Sequence, residues 1–471
     1  MSSRQIVITV GMFFAAIYGS VFTNTCAYAD SLKEALVQAY QSNPQINAQR
    51  AAVRVTDENV PQALSGYRPR VTANASAGEQ SVSTLQSLSV PAGAPAQYLT
   101  QSGQNFPHSV GLTITQNLFN GFQTANRTRQ AESQILAARA TLHYTEQSVL
   151  LNAVTAYMNL LRDTAIYELQ KRNVEVLQKQ VKQTQDRYKV GDVTTTDVSQ
   201  SASRLAAGES QVLTAESNLK TSKATYRAII GSEPGKLSPG TPVDRFAPKS
   251  LNDAIAVATS SNPTVVSAQH ALDAAILQVK VAEGALLPTL ALQAGYQRNW
   301  ESQLSLLDSY NASILTQLSV PLYQGGAEYS LVRQAKEQAG QRRLELDLAA
   351  RQARQGVVQA WGQVESTIGS IRSTETQVKT AESALNGVRD EANVGQRTTL
   401  DVLNAQQELV NARAALVTAQ RDRVVASYTL LAATGRLAPE ILELNIRPYN
   451  PKVHYHQVRD SWTGLRTPDG K

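Results

Sequence analysis

Residues 190–198 read VGDVTTTDV and residues 394–402 read VGQRTTLDV, so a glycine, two threonines and an aspartate recur 204 positions apart. These residue types at this spacing suit one piece of chemistry. Gly191 and Gly395 can take the left-handed conformation that ends a helix. Thr194 with Asp197, and Thr398 with Asp401, have the three-residue spacing of a capping box, in which hydroxyl and carboxylate satisfy the free N–H groups of a new helix. Each phrase therefore reads as the tip of a helical hairpin. Little else in the chain is reactive. His454 and His456 offer two imidazoles in a tail without a third ligand, and there is no Gly-rich phosphate loop, metal-ligand cluster or nucleophile elbow. The expectation is a protein that is no enzyme and needs no cofactor.

The first 29 residues read as a secretory signal peptide. Arg4 gives a positive start, Gln5 to Phe22 is largely apolar, and Ala27-Tyr28-Ala29 is a small-x-small cleavage site before Asp30. A transmembrane anchor is the weaker alternative, because the apolar run is short and no basic stop-transfer cluster follows. Cys26 is the only cysteine and precedes the cut, so the exported chain would hold no disulfide, thiol nucleophile or cysteine metal site. Thr23-Asn24-Thr25 before it is a poor match to a lipoprotein signal. The formal charge of +6 falls to +5 without Arg4, and the basic residues are interspersed with acids along polar stretches. That is a solvated surface, with no nucleic acid expected as partner. Beyond the leader no apolar run approaches the roughly 20 residues of a membrane helix, so any membrane contact must be made by strands.

The twin phrases belong to a longer duplication. SLKEALVQAYQSNP at Ser31 to Pro44 matches SLNDAIAVATSSNP at Ser250 to Pro263 with an offset of 219, whereas LFNGF from Leu118 matches LYQGG from Leu322 with an offset of 204. Arg129 and Arg333 open matching RQA stretches at the second offset, and Gly231 pairs with Gly435. The chain divides into a first copy at 30–232, a linker at 233–249, a second copy at 250–435 and a C-terminal tail at 436–471. The fall from 219 to 204 gives the first copy 15 extra residues, within a Ser-, Gly-, Pro- and Gln-rich stretch between Gly78 and Phe106. That stretch reads as an exposed loop. The tail, with several prolines and basic residues and no repeat partner, is expected to wrap the molecule's waist or to be disordered.

No proline occurs between Pro107 and Pro234 or between Pro321 and Pro439, in a chain that has 17. These windows are rich in helix formers. Leu160, Tyr167, Val174, Val181 and Tyr188 recur every seventh residue, as do Val364, Ile371, Val378 and Leu385, the spacing of left-handed coiled-coil packing. The arm before the first tip runs from about Thr124 to Tyr188, roughly 100 Å at 1.5 Å per residue. The arm after it, Thr195 to Ile230, is far shorter. A second helix from Pro44 to about Ser65, with Asn43 as N-cap, would make up the difference if the two short helices stack end to end.

Between these helices the period changes to two. Val110, Leu112 and Ile114 alternate with Ser109, Gly111, Thr113 and Thr115. Ala312, Ile314, Leu318 and Val320 share a face against Ser313, Leu315, Gln317 and Ser319. Their partners are the stretches from Arg68 and from Leu287, so each copy supplies a β-hairpin. Tyr296, Trp300, Tyr310 and Phe106 lie near hairpin ends, where interfacial aromatics are expected. A half-buried soluble hairpin gives the same alternation. If the strands do enter lipid, four are too few to close a barrel and open edges cannot face lipid. Two chains would then give eight strands with a filled bore, and three would give twelve with room for a channel.

With leader, duplicated helix–hairpin–helix units and paired tips assembled, the chain resembles the TolC family of outer-membrane efflux proteins. The resemblance covers about residues 31–435, with SNP twice and VGQRTTLDVLNAQ as its most telling stretches. It implies a mixed α and β membrane protein. Four strands per chain would contribute to a trimeric 12-stranded outer-membrane β-barrel, continued by a long α-helical barrel in the periplasm of a Gram-negative bacterium. It implies a homotrimer in outer-membrane lipid, joined by a periplasmic adaptor protein and an inner-membrane transporter, that acts as a passive exit duct for drugs, toxins or secreted proteins. It also implies site residues. Arg397 matches a tip arginine that bonds to the neighbouring hairpin in the closed state, and Asp197 matches its carboxylate partner. Asp401 matches an aspartate that rings the periplasmic opening. Asn404 stands where a second ring aspartate occurs, and Ala392 where a tyrosine helps to latch the hairpins. The other reading, from a different class, is a structural coiled-coil tether that conducts nothing.

Overall fold

The computed structural model describes residues 31–89, 91–468 and 470, so the leader and Cys26 lie outside the described residues. The first half of the chain runs α1 (Leu32–Ser42), α2 (Pro44–Asp57), α3 (Asn59–Leu64), β1 (Arg70–Ala77), β2 (Gln80–Leu88), β3 (Gln97–Asn105), β4 (His108–Asn120), α4 (Gln123–Lys189) and α5 (Thr195–Ile230). The second runs α6 (Leu251–Ser261), α7 (Pro263–Gly284), β5 (Thr289–Gln303), β6 (Leu306–Ser319), α8 (Ala327–Asn393) and α9 (Thr399–Ala433), and α10 (Lys452–Val458) lies in the tail. Helices α4 and α8 each hold 67 residues, about 100 Å at 1.5 Å per residue. No described helix is long and apolar enough to cross a membrane.

The two SNP stretches are where short helices are spliced into long tracks. Asn43 is the N-cap of α2, and its side-chain Oδ1 accepts from Gln45 N at 2.9 Å. Its Nδ2 points the other way and donates to Ile229 O at 3.0 Å, in the last turn of α5. Asn262 repeats the arrangement, accepting from Thr264 N at 3.0 Å and donating to Ala433 O at 3.0 Å, at the end of α9. One amide thus satisfies a free N–H of one helix and a free C=O of another, and the two helix ends are fixed head to tail. The stack α5–α2 lies along α4, and the stack α9–α7 lies between α4 and α8. The first stack breaks at Glu58, because Pro61 cannot donate and its ring crowds the carbonyl of Asp57. Helix α7 has no proline inside it and runs unbroken.

Strands β1, β4, β5 and β6 form one antiparallel sheet in the order β1-β4-β5-β6. The two expected hairpins are joined edge to edge through β4 and β5, from His108 opposite Trp300 to Asn120 opposite Thr289. The stretch expected as a loop between Gly78 and Phe106 is instead a further hairpin, β2 paired with β3 in unbroken register from Gln80–Asn105 to Leu88–Gln97. Its Ser, Thr and Gln side chains read as loop in the sequence. They suit a fully solvated hairpin equally well, because neither face has to be apolar. Its residues are almost all exposed.

The largest core lies at mid-height. There Leu36, Tyr40 and Ile46 meet Leu150, Val154 and Tyr157 of α4, Tyr226 and Ile230 of α5, Leu431 of α9, and Leu437 and Leu442 of the tail. The described residues of the tail pack along the molecule. The tail carries α10 onto α2 and the upper part of α4. Asp57, fully buried, bonds His454 Nδ1 at 3.0 Å with Arg139 at 3.8 Å. Burial pushes the Asp57 carboxyl up, against the pull of His454 and Arg139. Around α8 the packing is thin. Among the described residues its fully buried core with α6 is Ala254, Ala258 and Val357, flanked by the partly buried Leu251, Ile255 and Trp361, and Leu331, Leu344 and Leu348 are exposed.

The double role of Asn262 is testable. Asn262→Ala removes an N-cap and a C-terminal donor and is expected to cost about 1–3 kcal/mol. For a simple N-cap, Asn and Asp are equivalent. Here Asn262→Asp keeps the cap but sets a carboxylate against the Ala433 carbonyl, so it should destabilise at least as much as Ala in thermal denaturation followed by circular dichroism. Wild-type stability in the Asp variant would show that the splice contributes nothing.

Candidate functional site

The tips are built from backbone first. At the end of α4, Gly191 holds φ 81°. Its N–H donates to Tyr188 O and that of Asp192 to Arg187 O, each at 3.0 Å. Gly395 holds φ 79° at the end of α8, with Gly395 N donating to Ala392 O and Gln396 N to Glu391 O. This paired pattern satisfies the last carbonyls of each long helix and requires the left-handed residue. The chain then turns straight into the next helix. Thr194 N donates to Asp197 Oδ2 at 3.0 Å and Asp197 N to Thr194 Oγ1 at 3.3 Å. Thr398 and Asp401 repeat these bonds at 3.0 and 3.2 Å. Hydrogen bonds from Thr194 hold the Asp197 carboxyl below the usual range, and those from Thr398 do the same for Asp401, with Arg397 adding a smaller pull.

In each tip an ion pair ties the end of the long helix to the turn, with opposite polarity in the two. Arg187, near the end of α4, bonds Asp192 in the turn at 2.6 Å. At the matching position of α8 stands Glu391, which bonds Arg397 in the turn at 2.8 Å. Arg187 suits the negative end of a helix dipole and Glu391 opposes it, so Arg397 offsets an unfavourable charge as well as closing the turn. That bond to Glu391 is the main reason the guanidinium is held more firmly protonated. Within the chain Arg397 and Asp197 are not brought together: Arg397 is on Glu391 and Asp197 is on Thr194. Asn404 is engaged, its Oδ1 accepting from Arg204 Nη2 of α5 at 2.8 Å. Ala392 packs beside the small cluster of Leu385, Val402 and Leu409 behind the second tip.

Arg204 and Glu391 were missed by sequence reasoning. Both had a signal in the duplication, because Arg204 matches Glu408 and Glu391 matches Arg187 at the 204 offset. Charge reversal at a matched position marks a place where the two hairpins differ in partner. Arg204–Asn404 links the two hairpins near their tips, and Gln406 Nε2 to Asn173 Oδ1 at 3.4 Å links them farther along α4. Neither histidine of the tail is placed as a ligand: His454 is on Asp57 and His456 lies edge-on to the Tyr455 ring.

At the opposite end the sheet has two unlike faces. Partners directly across the ladders share a face. One face carries Val71, Ala73, Leu112, Ile114, Ala294, Tyr296, Ala312 and Ile314, and the other carries Thr72, Asn74, Gly111, Thr113, Gln293, Gly295, Asn311 and Ser313, with Leu315 as an apolar member. The apolar face is not covered, since Val71, Leu112, Ile114, Tyr296 and Ile314 are all exposed. Trp300 stacks on His108 at one end of this band, at 5.1 Å between ring centroids.

A two-faced sheet whose apolar side is open, set on helical rods far longer than any globular core needs, defines a class: β-structured proteins of the outer membrane that reach into the water beside it. The chain belongs to the outer membrane efflux protein family, whose sequence model matches residues 35–232 and 254–436. It is 40% identical over 454 residues to the outer membrane efflux protein BepC of Brucella suis, covering 96% of each chain. To the outer membrane protein TolC of Vibrio cholerae it is 27% identical, over 92% of this chain and 97% of that one. To the alkaline protease secretion protein AprF of Pseudomonas aeruginosa it is also 27% identical, over 71% and 70%. The crystal structure of the outer membrane protein VceC of Vibrio cholerae has the same fold, with a TM-score of 0.72 at 21% identity over 86% of this chain and 96% of that one. The protein is accordingly placed in the outer membrane of a Gram-negative bacterium.

The tips generate a pH prediction. A carboxyl lowered in the folded state contributes stability above its unfolded value, and the contribution fades as pH falls toward the lowered value. Asp197 and Asp401 start from 3.8 and are lowered. Amide protection of peptides spanning 190–200 and 394–404, corrected for intrinsic exchange, should therefore hold from about pH 7 to about pH 5 and fall only below the ordinary carboxylate range. Loss of protection within that window would contradict the capping geometry.

Proposed function

We propose that three copies of this chain form a passive channel through which substrates leave the cell across periplasm and outer membrane, gated at the helical tips. One observation carries the reading: sheet and helical layer are both open, and open on the same two sides. Strand β1 follows α3 on one side, and β6 leads into α8 on the other. Among the described residues neither β1 nor β6 has a further strand partner, and α8 packs chiefly on α6, α7 and α9, with no comparable contact to the α5–α2 track. Joining the β6–α8 side of one copy to the β1–α2 side of the next is a head-to-tail contact, which closes into a ring when the rotation suits. Unpaired amides in lipid make closure obligatory.

Three copies give twelve strands, and a bore with room for solutes; two would give eight, whose interior side chains fill. The Thr, Asn, Gln and Ser face of the sheet then lines the lumen and the apolar face meets lipid. In sequence the chain is two tandem copies, 30–232 and 250–435, joined by 233–249, so the ring has six similar hairpin tips. A periplasmic adaptor and an inner-membrane transporter complete the path. The kinship with both TolC and a protease secretion protein supports either drug efflux or type I secretion as the pathway served. A non-conducting tether would have no need of a polar sheet face.

At the tips the closed state rests on two kinds of contact. Arg204 to Asn404 ties the two hairpins of one chain. Arg397 reaches Asp197 of the neighbouring hairpin by giving up Glu391, while Asp401 from three chains narrows the opening, with Asn404 beside it adding no charge. Glu391 therefore competes with the latch. Single-channel conductance in planar bilayers tests this. Arg397→Ser, Asp197→Ala and Arg204→Ala should each raise conductance severalfold, Glu391→Gln should lower it, and Asp401→Ala should abolish block by multivalent cations from the tip side. No ion current from the wild-type protein would leave the tether. Conductance unchanged in the Arg397 and Glu391 variants would remove the latch.

A further inference from the structure

The tail's path ends in a side chain that the fold holds in place and leaves uncovered. From Tyr449 onward the tail runs parallel to the α2–α3 track and is clamped to it three times. The Arg50 guanidinium lies between the rings of Tyr40 and Tyr449, at 4.6 and 5.2 Å. His454 of α10 bonds the buried Asp57 at 3.0 Å. Last, Arg68 Nη1 donates to Ser461 O at 2.6 Å and its guanidinium covers one face of the Trp462 ring at 4.7 Å. Arg68 stands two residues before β1, so these clamps carry Trp462 from mid-height to the junction between helices and sheet. There the ring remains 68% exposed. Tyr67, Phe122 and Tyr323, at the same strand–helix junctions, are also exposed.

We propose that the segment after α10 is a membrane-interface anchor, with Trp462, presented by Arg68, seated among the lipid head groups of the leaflet on the helical side. Indole has an apolar body and one N–H donor, which suits the boundary between acyl chains and water. The occupant follows from continuity: the apolar face of the sheet begins at Val71, one residue into β1, and lipid against that face ends at the level of Trp462. Arg68, whose guanidinium covers the ring, and Arg70 just beyond it supply cations at the depth of lipid phosphates. A tail that served packing alone would bury its tryptophan, as it buries His454 and Val458. The anchor rests on outer-membrane placement and does not depend on the chain conducting.

The chain has three tryptophans, Trp300, Trp361 and Trp462, which makes the test direct. Full-length protein carrying Trp300→Phe and Trp361→Phe is reconstituted into phosphatidylethanolamine–phosphatidylglycerol vesicles brominated either near the head group or deep in the acyl chain. Emission from Trp462 should be quenched severalfold more by the shallow bromines than by the deep ones. Adding Arg68→Gln should cut the shallow quenching severalfold. The protein carrying Trp300→Phe and Trp462→Phe reports Trp361, which bonds Glu365 midway along α8 at 2.8 Å, and neither lipid should quench it. Quenching of Trp462 by aqueous iodide but by neither lipid would overturn the anchor, as would equal lipid quenching of Trp361.

Discussion

A strand edge leaves a row of N–H and C=O groups without partners, and in hydrocarbon no water is present to take them. The architecture follows from that constraint. The four-stranded sheet has an apolar face that requires lipid and two edges that lipid does not tolerate. The helical layer repeats the problem in water, at lower cost, by exposing Leu331, Leu344 and Leu348 along α8. Both deficits lie on the same two sides of the chain, so the proposed contact between copies would relieve both. The core of the single chain is correspondingly lopsided, dense where α1, α4, α5, α9 and the tail meet and sparse along α8. In the proposed ring, what the chain lacks alone the next copy supplies.

The long tracks meet a different difficulty, which is to build a rod about 100 Å long from helices of unequal length. Asn43 and Asn262 solve it with one side chain per splice, turning the free ends of two helices toward each other. Far from the main core, the tips hold by capping boxes, glycine turns and a few exposed ion pairs, all individually weak. Strength at the waist and weakness at the tips is the distribution the proposed gating needs, because a gate works only where two arrangements differ little in energy.

Much of this was legible in the residues. Proline-free windows and seven-residue spacing give the long helices, and alternation from Ser109 to Thr115 gives a strand. Gly191 and Gly395 announce the turns, because few other residues take a positive φ cheaply. The β2–β3 hairpin was not legible: with both faces in water, Ser and Gln replace the alternation that marks a strand. Nor was the order in the tail, since Tyr449, His454 and Trp462 find Arg50, Asp57 and Arg68 only after folding. The same holds at the tips. Spacing alone gives the capping partners of Thr194 and Thr398, which are three residues away. The pairing of Arg204 with Asn404 spans 200 residues and depends on how two hairpins pack.

The central claim is that the open sides of one chain are closed by identical chains, three to a ring. Native mass spectrometry of the detergent-extracted protein measures this without reference to activity. One assembly with the mass of three exported chains, dissociating only as the detergent is made denaturing, is the result predicted. A folded species with the mass of a single chain, stable in mild detergent, would contradict it.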